Sequence, residues 1–344
     1  SKNYFENEDF FYTEKNDYII GTGMFKIQER TEGVIRLAKN ENYWNENKNS
    51  LLTSINITCY ANMGDMYTAF KTGYIDIMDV STNNIQSYIG SLGYTKVDYP
   101  DRTVSFLAFN TQHELFLDTN TRKAIALLLD KNNILANLGN GYFTTNFIYP
   151  DNNWLFDSRL KIEYNSELAD NLLTQAGWIY TNNTWVRNGR ILSFSIKVNE
   201  NYPDRVIAAN IIAEQLRNHG IEVTVLPMQN GTYENDFNLK NYEVILTGLK
   251  MGYSPKVTAL FSDDNIANYY NENVSNIIKD IKNTTDNAIQ KENYNKLYEQ
   301  YINDFPYIFL YRETDSVVYN QTLCGKISPN AYSIFYNIDK WYRQ

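Results

Sequence analysis

Residues 105–130 read SFLAFNTQHELFLDTNTRKAIALLLD, and this stretch decides the fold class. The run from Val104 to Phe109 is apolar and predicts a buried strand, and Asn110-Thr111 predicts a turn. An apolar helix then begins near Asp118 or Thr119, because either side chain can accept a hydrogen bond from a free amide of the first helical turn. A strand, a turn and a helix in this order indicate an α/β protein.

The composition indicates a folded chain with more than one domain. With 344 residues the chain is too long for one ordinary core, so two domains are expected. Hydrophobic residues make up 43% of the chain, which excludes a disordered protein. The net charge of −9 argues against a nucleic-acid partner, because no basic field attracts phosphates. The 29 tyrosines reflect either compositional bias or rings that line a ligand site.

The sequence shows neither a recognisable targeting segment nor the cysteine pattern of a disulfide-stabilised scaffold. Cys59 and Cys324 lie far apart, so a disulfide between them stays open, but this is not a disulfide scaffold. No apolar run approaches the ~20 residues that span a bilayer. The chain begins at Ser1 without a signal peptide or a lipid-acceptor cysteine, so we expect the native start to have been removed.

The clearest supersecondary pattern is a strand, a helix and a second strand between residues 192 and 225. Alternating apolar residues predict the first strand: Leu192, Phe194, Ile196 and Val198. The helix is expected from Asp204 to Asn218, ended by Gly220, with three residues facing inward: Ile207, Ile211 and Leu216. The second strand covers residues 221–225. Such a unit predicts two parallel strands joined by a right-handed crossover.

Further motifs lie before and after this unit. Gly21-Thr22-Gly23 precedes two short strands and Asn40-Glu41-Asn42-Tyr43-Trp44, and a helix from Asp65 to Phe70 is stopped by Gly73 before a strand at residues 74–77. A helix from Glu167 to Ala176 places four apolar residues on one stripe: Leu168, Leu172, Leu173 and Ala176. The last predicted elements are a buried strand at 244–246 before a Gly-rich loop, helices at 274–285 and 291–303, and an apolar strand at 305–311.

Taken in order, these motifs resemble the family 5 extracellular solute-binding proteins, the oligopeptide, dipeptide and nickel binders that feed ABC importers. Residues 105–130 resemble the hallmark segment of that family, and Met24 and Phe309 stand where proline is common. The resemblance implies an α/β fold of the periplasmic-binding-protein-like type II, in which two lobes with mixed sheets and flanking helices close on a ligand by hinge motion.

The resemblance also implies the lobe boundaries. Lobe I is expected to comprise residues 1–99 and 315–344, and lobe II residues 100–314. Relatives carry a substantial segment before the Gly-Thr-Gly motif, so we expect lobe I to be incomplete here and this chain to bind ligand weakly by itself.

Peptide-binding relatives commonly hold the ligand's free amine with an Asp in a G-W-x-x-D-Y loop. The corresponding residues here are Gly248 to Tyr253, with Leu249 in place of the Trp and Gly252 in place of the Asp. Because an ammonium buried without a carboxylate is costly, either the positive terminus is bound elsewhere, or the ligand has no free amine and Lys250 faces an anionic group. Met251 and Tyr253 either line the cleft or pack locally.

Other candidate ligand contacts follow from the same resemblance. They are Phe106 and Ala108 on the hallmark strand, and Asn230 and Tyr233 before the buried strand. Arg312 could bind a carboxylate with two hydrogen bonds, although a structural salt bridge is the plainer interpretation. Trp154 either lines the cleft or fixes its loop.

An enzyme is disfavoured by the residues available. His113 and His219 are expected to be structural or at the surface, and no catalytic triad order, phosphate loop or zinc-ligand spacing is present, so we expect no cofactor and no bound metal. The function predicted is capture of peptides for an ABC importer by a monomer that meets the permease subunits, at the outer face of the cell membrane through a lipidated N-terminus or in the periplasm. A carrier of a non-peptide small solute, such as a metal chelate or a sugar, and a peptide-sensing receptor stay open as alternatives.

Overall fold

The computed structural model of the protein describes residues 21–81, 93–139, 141–149, 153–252 and 257–344. The chain divides into two compact units. Unit 1 comprises Ser1–Tyr99 and Asp315–Gln344, and unit 2 comprises Pro100–Thr314. The same residues bound the lobes expected from the sequence; that these units act as the lobes of a binding cleft stays a prediction.

The described strands and helices follow one another along the chain. The strands are β1 Phe25–Arg30, β2 Val34–Lys39, β3 Ser54–Thr58, β4 Ile77–Ser81, β5 Tyr94–Phe109, β6 Tyr142–Thr144, β7 Ile179–Thr181, β8 Thr184–Arg187, β9 Arg190–Ile191, β10 Ser193–Asn199, β11 Glu222–Met228, β12 Val244–Lys250, β13 Tyr307–Asn320, β14 Leu323–Gly325 and β15 Trp341–Arg343. The α-helices are α1 Met63–Lys71, α2 Thr119–Leu127, α3 Lys131–Leu138, α4 Ser166–Gln175, α5 Pro203–Asn218, α6 Asn230–Asn238, α7 Thr258–Phe261, α8 Glu272–Asn283 and α9 Asn287–Asp304.

Unit 1 contains small antiparallel sheets. β1, β2 and β3 form one of them, β4 pairs with the last part of β13, and β14 pairs with β15. The predicted strand at residues 74–77 was wrong at its start, because β4 begins only at Ile77. Residues after α1 complete its C-terminal cap instead, since the amide of Tyr74 donates to Ala69 O at 2.9 Å beyond Gly73, which has a φ of 77°.

Unit 2 is built on a mixed sheet in the order β11-β10-β12-β5-β13, with β6 paired to β13. β10 lies parallel to both β11 and β12, which confirms the predicted parallel pair. β12 runs antiparallel to β5, with Gly248 opposite Ser105. The predicted helix of the hallmark segment is confirmed as α2, whose N-cap Asp118 accepts from the amide of Thr121 at 2.9 Å.

Two predicted helix faces were wrong in part. On α5 the buried apolar residues are Ala208, Ala209, Ile212, Ala213 and Leu216, whereas Ile207 is 45% exposed. On α4, Ala169 and Leu173 are buried and Leu168 is 46% exposed. Alanines on the inner face let a helix pack close to its neighbours, so selecting the bulkiest side chains pointed to the wrong stripe.

Many tyrosines lie inside unit 2. Tyr298 OH donates to Leu155 O at 2.7 Å, and Tyr307 OH donates to Leu260 O at 2.7 Å. Burial raises the pKa of both hydroxyls well above the ordinary value, so they stay protonated donors. These rings supply buried apolar area while each hydroxyl finds a main-chain acceptor.

Two further expectations are settled by the described residues. Cys59 and Cys324 are both free, so the disulfide left open by the sequence does not form. No helix within the described ranges is long and apolar enough to cross a membrane.

Candidate functional site

The carboxyl ends of parallel strands β10, β11 and β12 lie at one edge of the unit 2 sheet. In open α/β sheets, ligands bind outside this edge, where the following segments diverge. We call this region the carboxyl edge and define it by residues that lie at it or contact it: Asn199, Tyr202, Arg205, Asn230, Lys250 and Glu313.

The helices that follow β10 and β11 leave the edge on opposite faces of the sheet. Arg205 of α5 contacts Ser105, the residue opposite Gly248, whereas Tyr233 of α6 lies against the neighbouring residue Thr247. Successive side chains of a strand point to opposite faces, so α5 and α6 cover different sides. The edge between them is therefore the place where the sheet opens.

Asparagine amides join the two diverging segments. Asn199 Nδ2 donates to Asn230 Oδ1 at 2.7 Å, and Asn199 Oδ1 accepts from the amide of Asn201 at 3.0 Å. Asn199 is buried while Asn230 is exposed, so the pair connects the interior of the sheet to its accessible edge. Asn230 thus presents amide donor and acceptor atoms at the accessible edge.

Arg205 is held from several sides. It is 7% exposed, and its Nε donates to Ser105 Oγ at 3.2 Å. The ring of Tyr202 lies 4.1 Å from the guanidinium carbon, a cation–π contact. Gly248 leaves room on the other side, because a Cβ at that position would overlap the guanidinium. Glu313 Oε1 lies 3.9 Å from Nη2.

Tyrosine hydroxyls and a carboxylate lie beside this arginine. Tyr311 OH donates to Asp204 Oδ2 at 3.2 Å, and the rings of Tyr142 and Tyr311 meet edge to face at 5.3 Å. Burial, together with the negative charges of Asp204 and Glu313, raises the pKa of Tyr142 to about 12. The Tyr142 hydroxyl is therefore neutral at physiological pH and can donate.

Some of the predicted site residues reach the carboxyl edge. Lys250, the last residue of β12, and Asn230, the first of α6, are both exposed there. Gly248 to Lys250 belong to a strand and not to the loop predicted from their glycines. Leu249 is half-buried and points to the opposite face from Lys250, and Gly252 is exposed just beyond the strand.

Other predicted contacts lie in the interior. Met251 is buried, and Tyr253 lies outside the described residues. The side chains of Phe106 and Ala108 are fully buried, and the ring of Phe106 packs against Tyr307 with centroids 5.7 Å apart. Their roles as ligand contacts stay predictions, and their burial assigns them to packing in this conformation.

Tyr233 and Arg312 are also buried. Tyr233 OH donates to Leu246 O at 3.1 Å. Arg312 donates to the main-chain oxygens of Asp101, at 3.3 Å, and Ile148. These hydrogen bonds hold segments of unit 2 together, and a ligand role for either residue stays a prediction. Trp154 is exposed on its loop.

The sequence reasoning missed Arg205, Tyr202 and Glu313. The signal for Arg205 was its position, since it precedes Ala208 and Ala209 by three and four residues and so continues the buried stripe of α5. The feature to examine was a charged residue on the inward-facing side of α5, in the first turn of this helix after β10.

Comparison with known proteins places the chain among solute-binding proteins. The sequence profile described as bacterial extracellular solute-binding proteins, family 5 Middle, matches residues 1–271. The oligopeptide-binding protein AppA of Bacillus subtilis is 25% identical over 340 residues, which cover 94% of this chain and 62% of AppA. By the description of the family, its members are extracellular and bind solutes.

Solved structures share the fold. The structure of AppA from Bacillus subtilis with a nonapeptide has a TM-score of 0.62 at 23% identity, covering 94% of this chain and 66% of AppA. The nickel ABC transporter protein of Bacillus halodurans has a TM-score of 0.74 at 17% identity, covering 91% of this chain and 67% of that protein. These likenesses confirm the predicted type II binding-protein fold.

The matches cover most of this chain but a smaller share of each relative. This chain spans 58% to 62% of the length of the curated relatives that it matches, while most of the chain itself is covered. Because the family profile covers far more than half of the chain, the chain belongs to the bacterial extracellular solute-binding proteins of family 5.

Proposed function

We propose that this protein captures short peptides outside the cytoplasm and delivers them to an ABC importer. The observation that carries the proposal is the carboxyl edge of unit 2, where Asn230, Lys250 and Arg205 offer hydrogen-bond donors and acceptors beside exposed aromatic area from Tyr202. Peptides present amides, a carboxylate and apolar side chains, and these groups match that set. The names of the curated relatives, which are oligopeptide- and dipeptide-binding proteins, point the same way.

Partners and location follow from this function. The protein would act as a monomer that presents its loaded form to the permease subunits. It would be held at the outer face of the membrane by a lipidated N-terminal segment or move freely in the periplasm. Relatives are named as binding proteins, and the proposal accordingly assigns no catalysis to the site.

A metal chelate is the second candidate ligand, because the structural neighbours include NikZ of Campylobacter jejuni in complex with Ni(L-His) and a nickel ABC transporter protein. Within the described ranges, no group of three or more His, Cys, Asp or Glu side chains could hold a metal ion. A metal would therefore reach the protein inside its own chelator, and the chelator's carboxylates would make the contacts. The observations favour peptides.

Native mass spectrometry of the protein in its longest natural form, purified without denaturation, tests the proposal. Adducts spread over the masses of short peptides are the expected result. A single sharp adduct of non-peptide mass, or no adduct until a defined non-peptide ligand is added, would contradict it and favour a dedicated small-solute binder.

A further inference from the structure

We propose that unit 1 carries a binding site of its own, for an extended aliphatic polyamine, in a groove between the end of β3 and one face of α1. The groove has a volume of about 500 Å³, and all of its lining residues belong to unit 1. It is therefore separate from the carboxyl edge of unit 2, and the inference does not rest on the proposed function.

One face of α1 forms a side of the groove. Asp65, Thr68 and Thr72 line it, and spacings of three and four residues place these side chains on one face of a helix. From Asp65 to Thr72 this face extends about 10 Å, because each helical residue adds about 1.5 Å. Thr58, the last residue of β3, lines the groove from the sheet. The groove therefore suits a long ligand.

The polar atoms of this helix face are hydrogen-bond acceptors. Thr68 Oγ1 donates to Gly64 O at 2.9 Å, and Thr72 Oγ1 donates to Thr68 O at 2.9 Å. A hydroxyl has one proton, so both oxygens present only lone pairs to a ligand. Asp65 Oδ2 accepts from Asn62 Nδ2 at 2.8 Å, and Oδ1 receives no hydrogen bond from a described residue. A ligand of this face must therefore supply the donors.

The charges along the groove favour a cation. Among the described residues no Lys or Arg lines it, and the exposed Asp65 supplies a carboxylate at one end. Thr72 lies at the C-terminal end of α1, where the helix dipole is negative. Lys71 is exposed in the last turn but is not a lining residue. Positive groups at both ends of a long ligand would thus be stabilised.

Tyrosine rings and an alanine supply the apolar part of the lining. Tyr74 is 86% exposed, Tyr60 is half-buried, and Ala69 is buried on α1. The face of a tyrosine ring attracts an ammonium group, and methylene groups gain from contact with apolar surface. A polyamine alternates ammonium groups with methylene segments, so it matches both the acceptors and the rings.

The test compares spermidine with 1,8-octanediol, an uncharged chain of similar length. Binding of each to the protein in its longest natural form is measured by calorimetry at low ionic strength. Spermidine is expected to bind saturably at one site and at least about tenfold more tightly than the diol, because the diol carries no charge. Equal affinity for the two would overturn the recognition of a cation, and no saturable binding of spermidine would overturn the site itself.

Variants locate the effect. Asp65→Asn is expected to weaken spermidine binding about fivefold, because the charge is lost while an amide oxygen can still accept from Asn62. Glu46→Gln removes the same charge at another exposed position of unit 1 and is expected to change the affinity by less than about twofold. If Asp65→Asn binds spermidine as tightly as Glu46→Gln does, the attraction is that of the whole acidic chain, and the assignment is overturned.

Tyr74→Leu tests the aromatic contribution. The substitution keeps an apolar side chain but removes the ring face, so spermidine binding is expected to weaken about threefold. Tyr74 is exposed, so its replacement should leave the helix content unchanged, which circular dichroism checks. Undiminished spermidine affinity in a folded Tyr74→Leu protein would contradict the contact between this ring and the ligand.

Discussion

Arg205 Nε donates to Ser105 Oγ across 3.2 Å, which joins the first turn of α5 to the C-terminal part of β5. Ser105 belongs to the segment by which the sequence resembles its family, whereas Arg205 lies a hundred residues further along the chain. The hydrogen bond brings the hallmark strand and the carboxyl edge together. The hallmark segment thus contacts the candidate site through the hydroxyl of Ser105, while its apolar side chains fill the core.

Gly248→Ala is expected to weaken peptide binding and to lower the stability of unit 2. The new Cβ would overlap the guanidinium of Arg205, which Ser105 and the ring of Tyr202 hold in place, so its displacement is expected to cost about 1 to 3 kcal/mol. Calorimetry with a short peptide ligand, together with urea unfolding, measures the two effects. Gly33→Ala serves as the control, since a Cβ there meets nothing within 4 Å. Unchanged affinity in Gly248→Ala would contradict the arrangement described for Arg205.

Arg122→Gln is expected to destabilise unit 2 by about 3 kcal/mol, because the carbonyls that the guanidinium satisfies at the end of α9 lose their donor. Burial lowers the pKa of Arg122 to about 10, yet it stays charged at neutral pH. The free energy of unfolding in urea measures the change. Arg217→Gln at the surface should change it by less than about 0.5 kcal/mol. Equal stability of the two variants would show that the hydrogen bonds of Arg122 to the end of α9 do not stabilise unit 2.

Tyr307→Phe is expected to cost about 2 kcal/mol of stability. The Tyr307 hydroxyl donates to Leu260 O at 2.7 Å and accepts from the amide of Ala267 at 3.2 Å, so its removal leaves two buried groups without their partner. Tyr180→Phe removes a hydroxyl from a ring that is half exposed and serves as the control. Thermal unfolding of both variants gives the comparison, and similar Tm values would count against a structural role for the buried hydroxyl.

Alkaline pH is expected to unfold the protein by way of its buried tyrosines. Burial raises the pKa of Tyr233 to about 12, and burial with nearby carboxylates raises that of Tyr142 to about 12, both from a value of 10. A raised pKa means that the folded state favours the neutral phenol. The resulting stability is complete below pH 10 and is lost as the pH rises through about 12. Tyrosinate absorbance and circular dichroism followed together measure this; full titration near pH 10 with the fold intact would contradict it.

The sequence predicted most elements of the fold because their local signals agree with their tertiary setting. Asp118 predicted the start of α2, and alternation in residues 192–198 predicted β10. The errors have physical causes. Tyr74 completes a helix cap through its backbone amide, and Ile207 lies on the exposed side because alanines form the inner face of α5. Neither a cap bond nor the closeness of packing can be inferred from side-chain type alone.

The site was harder to predict than the fold. Lys250 and Asn230 were identified through resemblance, and both lie at the carboxyl edge. Phe106 was also selected, but its strand, β5, is covered on both faces of the sheet. Side chains that point to either face are therefore buried. Arg205 was missed because its importance depends on Ser105 and Gly248, which approach it only in the folded sheet.

Amide hydrogen exchange, with and without a short peptide ligand, tests the central claim most directly. If the carboxyl edge of unit 2 binds the peptide, amides in residues 199–206, 229–234 and 248–252 should gain protection on binding, and those of β7 to β9 should not. Peptide binding that leaves these three segments unprotected would contradict the claim that the solute site lies at this edge.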